Sequence, residues 1–434
     1  MLENHPFKVN DKGHLTVGGL DTINLARDFG TPLYVYDVNI IRKNCRSFVD
    51  PFKKLNVKAQ VAYASKAFSS IAMVQIADQE GLSLDVVSEG ELFTALQADF
   101  PTEKIHLHGN NKSYEELKMA VENNIGCIVV DNFLEIEMLQ QLLEKYNKKM
   151  DVLIRVTPGI ESKTHHYIMT GNEDSKFGFN LNNGQADEAF QKLRNQKHIH
   201  FKGLHSHIGS QIFETDRFVK ATESLFEKLG EWKEQTGFIP EVLNLGGGFG
   251  IRYTGDDQPL PYNKYVEALV ENVQNYSRMI DIPIPEIWIE PGRSIVGNAG
   301  ITLYTIGAKK HIPDVRTYIS VNGGMTDNLR PALYEAKYEG VLANKADQPN
   351  TEVVSVAGKA CESGDMLIWD LPVPSVDSGD ILAVFSTGAY GYSMASHYNR
   401  FPKASVVFVE NGQAKEVVRR ETYKDVVQND LSYL

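Results

Sequence analysis

Three cysteines in 434 residues, Cys45, Cys127 and Cys361, are odd in number and far apart, which excludes a disulfide framework. Basic charge is also short. The 44 Lys and Arg against 56 Asp and Glu leave a formal net charge of −12, the wrong sign for a nucleic-acid or membrane-surface role. No apolar run approaches membrane-spanning length. The opening Met1-Leu2-Glu3-Asn4-His5 lacks the basic-then-apolar pattern of a secretory signal. A reducing cytoplasm is therefore the expected location. Internal repeats, low-complexity stretches and metal motifs are missing too. His165-His166 are adjacent, and His205 and His207 alternate along a strand-like run, so neither pair converges easily on one ligand. The dinucleotide fingerprint fails as well, because Gly246-Gly247-Gly248-Phe249-Gly250 continues into Ile251, Arg252 and Tyr253 without a third glycine.

What is present is a cadence. The chain is too long for one ordinary core, so two domains are expected. From about residue 57, apolar strand-like runs recur at 58–64, 82–87, 105–108, 127–130, 152–156, 201–207, 242–245 and 287–289. Helix-like stretches such as 113–123 and 132–146 separate most of them, and Ser113 with Glu116 is a capping-box signature. Eight strand–helix units make a TIM-type (β/α)8 barrel, placed at 37–298. Polar residues fall at or just past the C-terminal ends of these runs: Lys66, Asp85, Ser88, His108, Asn110, Asp131, Arg155, His207 and Glu290. In a barrel those ends converge on one mouth, where active sites form. After about residue 299 the segments 317–322, 352–357, 380–385 and 404–410 are β-rich and separated by Gly, Pro and Asp turns. A β domain at 299–434 follows, joined by the N-terminal segment 1–36, whose stretch 7–18 has similar alternation. The fold class is thus α/β plus all-β.

Four local features carry chemistry. Lys66 leaves the apolar run Val61-Ala62-Tyr63-Ala64-Ser65-Lys66-Ala67. Partial desolvation there is expected to lower the ammonium pKa and leave an amine able to attack carbonyls. Glu290 follows the last barrel strand in Glu290-Pro291-Gly292-Arg293, and a carboxylate facing a pyridine nitrogen keeps that nitrogen protonated. Gly246–Gly248 removes side chains over three positions, so backbone N–H groups can close around an anion. His207, in His205-Ser206-His207-Ile208-Gly209-Ser210, is suited to stacking on an aromatic cofactor. A Schiff-base lysine, an aromatic cation, a phosphate loop and a carboxylate are the parts needed to hold pyridoxal 5'-phosphate. Cys361-Glu362-Ser363-Gly364-Asp365 is a poor metal site and a poor redox pair, and its thiol suits either a proton donor or a buried structural position.

These segments, with Tyr34-Val35-Tyr36-Asp37, Glu173-Asp174-Ser175-Lys176-Phe177-Gly178 and Tyr390-Gly391-Tyr392-Ser393-Met394, resemble the fold-type III pyridoxal phosphate decarboxylases over nearly the whole chain. The resemblance implies an alanine racemase-like barrel with a β-sandwich or β-barrel second domain. It implies Lys66 as the Schiff-base lysine, His207 stacked on the ring, Glu290 at the ring nitrogen and Cys361 as proton donor. The cofactor-binding set it implies is Lys66, Asp85, His207, Ser210, Gly247, Gly248, Glu290, Pro291, Gly292, Arg293 and Tyr390. Arg293, Arg330, Tyr334, Glu362 and Tyr390 are the implied substrate contacts. The family shares its site across a homodimer, with Cys361 and Glu362 reaching the partner's barrel.

The framework is common to branches acting on different substrates, so the distal end of the substrate has to choose. Ornithine and lysine end in a bare ammonium, which two arginines would repel. The meso-diaminopimelate of the best-matching branch, converted to L-lysine and carbon dioxide in the last step of lysine biosynthesis, ends in a second amino acid group whose carboxylate suits Arg293 and Arg330. The ornithine, lysine or arginine branch is the alternative. A racemase of the same fold sets an arginine at the ring nitrogen, where Glu290 stands here. A non-catalytic relative is expected to have lost Lys66 or Cys361, and both are present.

Overall fold

The computed structural model describes residues 5–159 and 175–434. His165-His166 and the first two residues of the Glu173–Gly178 motif lie outside the described residues. Two compact units emerge: Asn44–Gly250 with Pro259–Gly292, and Met1–Lys43 with Ile251–Gln258 and Arg293–Leu434.

The first unit is the barrel. Parallel strands Ala59–Ala64, Ser83–Val86, Ile105–Leu107, Cys127–Val130, Met150–Thr157, Ile199–His205, Val242–Asn244 and Glu286–Ile289 pair in chain order. The last returns to the first through Ile287↔Ala59 and Ile289↔Val61, closing the ring. Strands covered on both faces are mostly apolar, and Ser83–Val86, Ile105–Leu107, Cys127–Val130 and Val242–Asn244 are buried at every position. The interior is packed by Cys127, Val129, Leu153, Val242 and Trp288. His106 stacks on Trp288 with centroids 4.2 Å apart. An extra strand, Phe179–Asn180, pairs alongside Met150–Thr157 and has no counterpart in the sequence reading.

Helix starts fix the loops at the mouth. Ser70, Ser88, Ser113 and Asn132 accept from the backbone N–H of Met73, Glu91, Glu116 and Glu135, respectively. Ser113 and Glu116 complete the capping box, with Glu116 accepting from the Ser113 N–H at 2.7 Å. Each cap contributes about 1 kcal/mol, and each falls in a loop leaving a strand's C-terminal end. Ser88, grouped by sequence with the reactive residues, spends its hydroxyl on this cap. No helix of the described residues is long and apolar enough to cross a membrane.

The second unit is a β-sheet unit built around Gly300–Ile312, whose 13 residues pair with Arg316–Val321, Ile381–Val384 and Leu33–Asp37. Leu33–Asp37 also runs parallel to Ser405–Glu410, which tethers the N-terminal segment to the C-terminal sheet. The stretch Ile251–Gln258, which the sequence reading left inside the barrel, clusters with this unit instead. The cause is burial: Ile251 and Tyr253 sit in an apolar cluster with Tyr304, Ile306 and Tyr338.

Candidate active site

Lys66 sits on the single turn Ser65–Ala67 that follows the first barrel strand. The turn is pinned on several sides. Ser65 Oγ donates to the Asp85 carbonyl at 2.7 Å, and Tyr63 Oη donates to the Phe68 carbonyl at 2.8 Å. Ala64 N–H donates to the Pro291 carbonyl at 3.2 Å. Gly292 is confined here as well, since a Cβ on it would meet the Ala64 carbonyl at 3.1 Å. Lys66 itself is exposed, whereas Ser65 and Ala67 are buried. The strand ends at Ala64, two residues before Lys66.

Glu290 is buried just past the last strand, ringed by nitrogen. Asn244 Nδ2 donates to its Oε1 at 2.6 Å, and His205 Nε2 meets its Oε2 at 3.1 Å. His108 Nε2 forms an ion pair with Oε1 at 3.0 Å and stands 3.7 Å from Asp85 Oδ1. Burial opposes the charge on Glu290, yet His108 and His205 hold its carboxyl well below the usual range. For His108 burial again opposes charge, but the Asp85 and Glu290 carboxylates outweigh it and raise the pKa. Burial pushes Asp85 up, and it pushes His205 down to about 4 despite Glu290. A histidine with a raised pKa and a neutral one thus flank one carboxylate. His108, His205 and Glu290 also form the one group among the described residues whose ligand atoms, within 4.8 Å, have the spacing of a metal triad.

Beside this cluster the glycine run is locked by backbone contacts. Gly246 and Gly248 have φ of +67° and +102°, a region open to glycine at little cost. A Cβ on Gly247 would lie 2.1 Å from the Glu290 carbonyl, and one on Gly248 would lie 2.4 Å from the Gly209 carbonyl. Ile212 N–H donates to the Gly248 carbonyl, joining the run to the loop that carries His207 and Ser210. Gly247 N–H donates to His207 Nδ1 at 3.2 Å, so that nitrogen carries no proton. Burial, then the charges of Lys66 and Arg155, push His207 well below its ordinary pKa. A neutral ring results rather than the expected aromatic cation, suited to stacking on another aromatic.

The remaining expected residues lie in the β-sheet unit. Arg293 Nη1 donates to Tyr253 Oη at 2.5 Å, and its guanidinium lies 4.7 Å from the Tyr390 ring centre. Arg330 Nη1 donates to Tyr338 Oη at 2.7 Å. The Arg330 guanidinium stands 4.9 Å from the Tyr253 ring and 6.0 Å from that of Tyr334. One tyrosine thus serves two arginines, through its hydroxyl and its face. Cys361 and Glu362 lie on an exposed loop, where Cys361 N–H donates to Asn399 Oδ1 and Glu362 accepts from Tyr398 Oη at 3.4 Å. Cys361 is therefore no core cysteine.

Sequence reading missed His205, Asn244, Tyr253 and Tyr338 as site residues and placed His108 only at the mouth. A signal existed for Asn244, a lone amide inside the apolar run Val242-Leu243-Asn244-Leu245. Tyr253 and Tyr338 follow no periodic pattern and become visible only through Arg293 and Arg330.

An ionised carboxylate with an acceptor position to spare, a glycine run free of side chains beside it, an accessible lysine and a neutral imidazole together fit pyridoxal phosphate. The family model for the pyridoxal-dependent decarboxylase, pyridoxal binding domain, matches residues 38–297, and the chain is a member of that class. Over 424 residues it is 59% identical to the diaminopimelate decarboxylase of Bacillus subtilis (strain 168), covering 98% of this chain and 97% of the relative. It is 61% identical to that of Bacillus methanolicus over 414 residues, 95% and 96% of the two chains. The crystal structure of the M. jannaschii diaminopimelate decarboxylase in co-complex with L-lysine superposes with a TM-score of 0.93 at 34% identity, covering 100% and 99%. The chain belongs to the diaminopimelate decarboxylase family.

Proposed function

We propose that this protein is a cytoplasmic enzyme that converts meso-2,6-diaminopimelate to L-lysine and carbon dioxide, using pyridoxal phosphate. The observation that carries this reading is the buried, ionised Glu290 at the end of the last barrel strand. When bound, the cofactor supplies a protonated pyridine ring that takes up the electron pair left by departing carbon dioxide. Glu290 holds the ring proton, His207 covers one ring face, and Ser210, the glycine run and the segment Pro291–Arg293 hold the phosphate. Asp85 stands 3.7 Å from His108, and Lys66 would carry the cofactor through its amine. Arg293 and Arg330 read the distal carboxylate of the substrate, with Tyr334 and Tyr390 beside them. The test is carbon dioxide release from meso-diaminopimelate with L-lysine as product; release from ornithine at a comparable rate points to the broader basic amino acid decarboxylases.

Glu290→Gln should slow that reaction by roughly 10- to 150-fold, the equivalent of about 1.5–3 kcal/mol for a hydrogen bond to a charged group. The amide cannot hold the ring proton, and its NH2 would also face donors on Asn244, His205 and His108. An unchanged rate removes the electron-sink role.

Cys361 is proposed to deliver a proton in the partner subunit's site of a homodimer, with Glu362 taking the distal ammonium there. The exposure of both residues supports this. Mixing inactive Lys66→Ala and Cys361→Ala subunits should restore part of the activity, because some heterodimers then hold one intact site. If subunits exchange and the mixture stays dead, the shared site is refuted.

A further inference from the structure

Glu290 has about four lone-pair positions as a carboxylate, and hydrogen bonds engage one on each oxygen among the described residues. Asn244 donates to Oε1 at 2.6 Å and His205 to Oε2 at 3.1 Å, while His108 Nε2 stands 3.0 Å from Oε1 outside hydrogen-bond geometry. An acceptor position is left on Oε2. The two hydrogen-bonding supports have fixed polarity. Asn244 Oδ1 accepts from Gly246 N–H at 2.9 Å, so its NH2 is the end aimed at Glu290. His205 Nδ1 is buried with no partner. Its proton therefore sits on Nε2, because a bare Nε2 would set a lone pair against the carboxylate.

We propose that His205 and Asn244 are positioning residues that lock the Glu290 carboxylate so that an open lone pair on Oε2 is aimed at the ring nitrogen of the cofactor. Each carboxylate oxygen holds one buried hydrogen bond, so rotation about its last bond would break at least one of them. Asn244 also couples that orientation to the glycine run, since the same amide holds Gly246. The inference rests on the reading of Glu290 as the partner of the ring nitrogen and goes beyond it by naming what orients that carboxylate.

The test is equilibrium binding to the full chain stripped of cofactor. Pyridoxal phosphate is compared with its 1-deaza analogue, in which C–H replaces the ring nitrogen. The unaltered protein should prefer pyridoxal phosphate by about tenfold or more. His205→Phe and Asn244→Leu should each erase most of that preference, whereas His205→Gln, which keeps an N–H donor, should restore much of it. A merely structural role would weaken both ligands equally, and equal weakening overturns the proposal, as does a preference unchanged in the variants. Should His205→Phe fail to fold, Asn244→Leu carries the comparison. A ratio near one in the unaltered protein overturns the proposal with no variant at all. Carbon dioxide release from meso-diaminopimelate is measured on the same preparation. Its absence sinks the decarboxylase reading, while the cofactor ratio still judges the carboxylate support.

Discussion

Lys66→Ala should lower turnover of meso-diaminopimelate by about 10⁴-fold or more, the scale of loss when the covalent group of an enzyme is removed. Two other cations at the mouth, Lys112 and Arg155, are no substitute for the Lys66 amine. Lys112 is buried and committed, with Nζ 2.5 Å from Glu135 and donating to the Gly109 and Val129 carbonyls at 2.8 Å and 2.6 Å. Arg155 is buried beside Asp131, and a guanidinium stays charged in proteins and cannot act as a nucleophile. Lys66 itself is exposed, so truncating it leaves no cavity, and the variant should melt within a few degrees of the parent. Loss of activity with an intact fold then isolates chemistry from stability. Borohydride reduction of the purified, yellow parent should fix the cofactor on the peptide that contains Lys66. Label on any other lysine overturns the assignment, and so does appreciable turnover by Lys66→Ala.

The barrel was legible because its physics is local. Strands covered on both faces write continuous apolar runs, and each predicted run overlaps an observed strand. The helix starts announced themselves through Ser113 and Glu116, whose side chains satisfy backbone groups within one turn. The β-sheet unit was harder. Gly300–Ile312 is buried in its first half and exposed over Gly307–His311, so half of it carries no apolar signal. Leu33–Asp37 gains its place from partners hundreds of residues away, at 300–303 and 405–409. At the site, the motif residues Lys66, His207 and Glu290 were readable from chain position. Their supports were not, because Asn244, His205 and Glu290 meet only when three strands far apart in sequence pair side by side.

Arg330→Ala should lower kcat/KM for meso-diaminopimelate by roughly 30- to several-thousand-fold, from about 2–5 kcal/mol for losing one partner of a buried charge pair. Arg330 is buried, yet no carboxylate lies within ion-pair distance of it among the described residues. Burial opposes its charge, but Tyr253 and Tyr338 outweigh this and raise its pKa, so the guanidinium stays charged. A charged group held away from water without an anion is costly, and an arriving carboxylate relieves that cost through a charge-assisted, bidentate pair. Lysine and ornithine bring a bare ammonium to the same place and should be refused by the unaltered protein. In Arg330→Ala the loss should therefore fall mainly on diaminopimelate, entering through KM and narrowing its advantage over lysine. Arg330→Lys should recover only part of it, because an ammonium cannot form the fork that a carboxylate needs. Rates for the three amino acids, measured side by side in the parent and both variants, decide the matter. A parent that decarboxylates ornithine as readily as diaminopimelate, or an Arg330→Ala that leaves the discrimination intact, would remove Arg330 from the recognition of substrate.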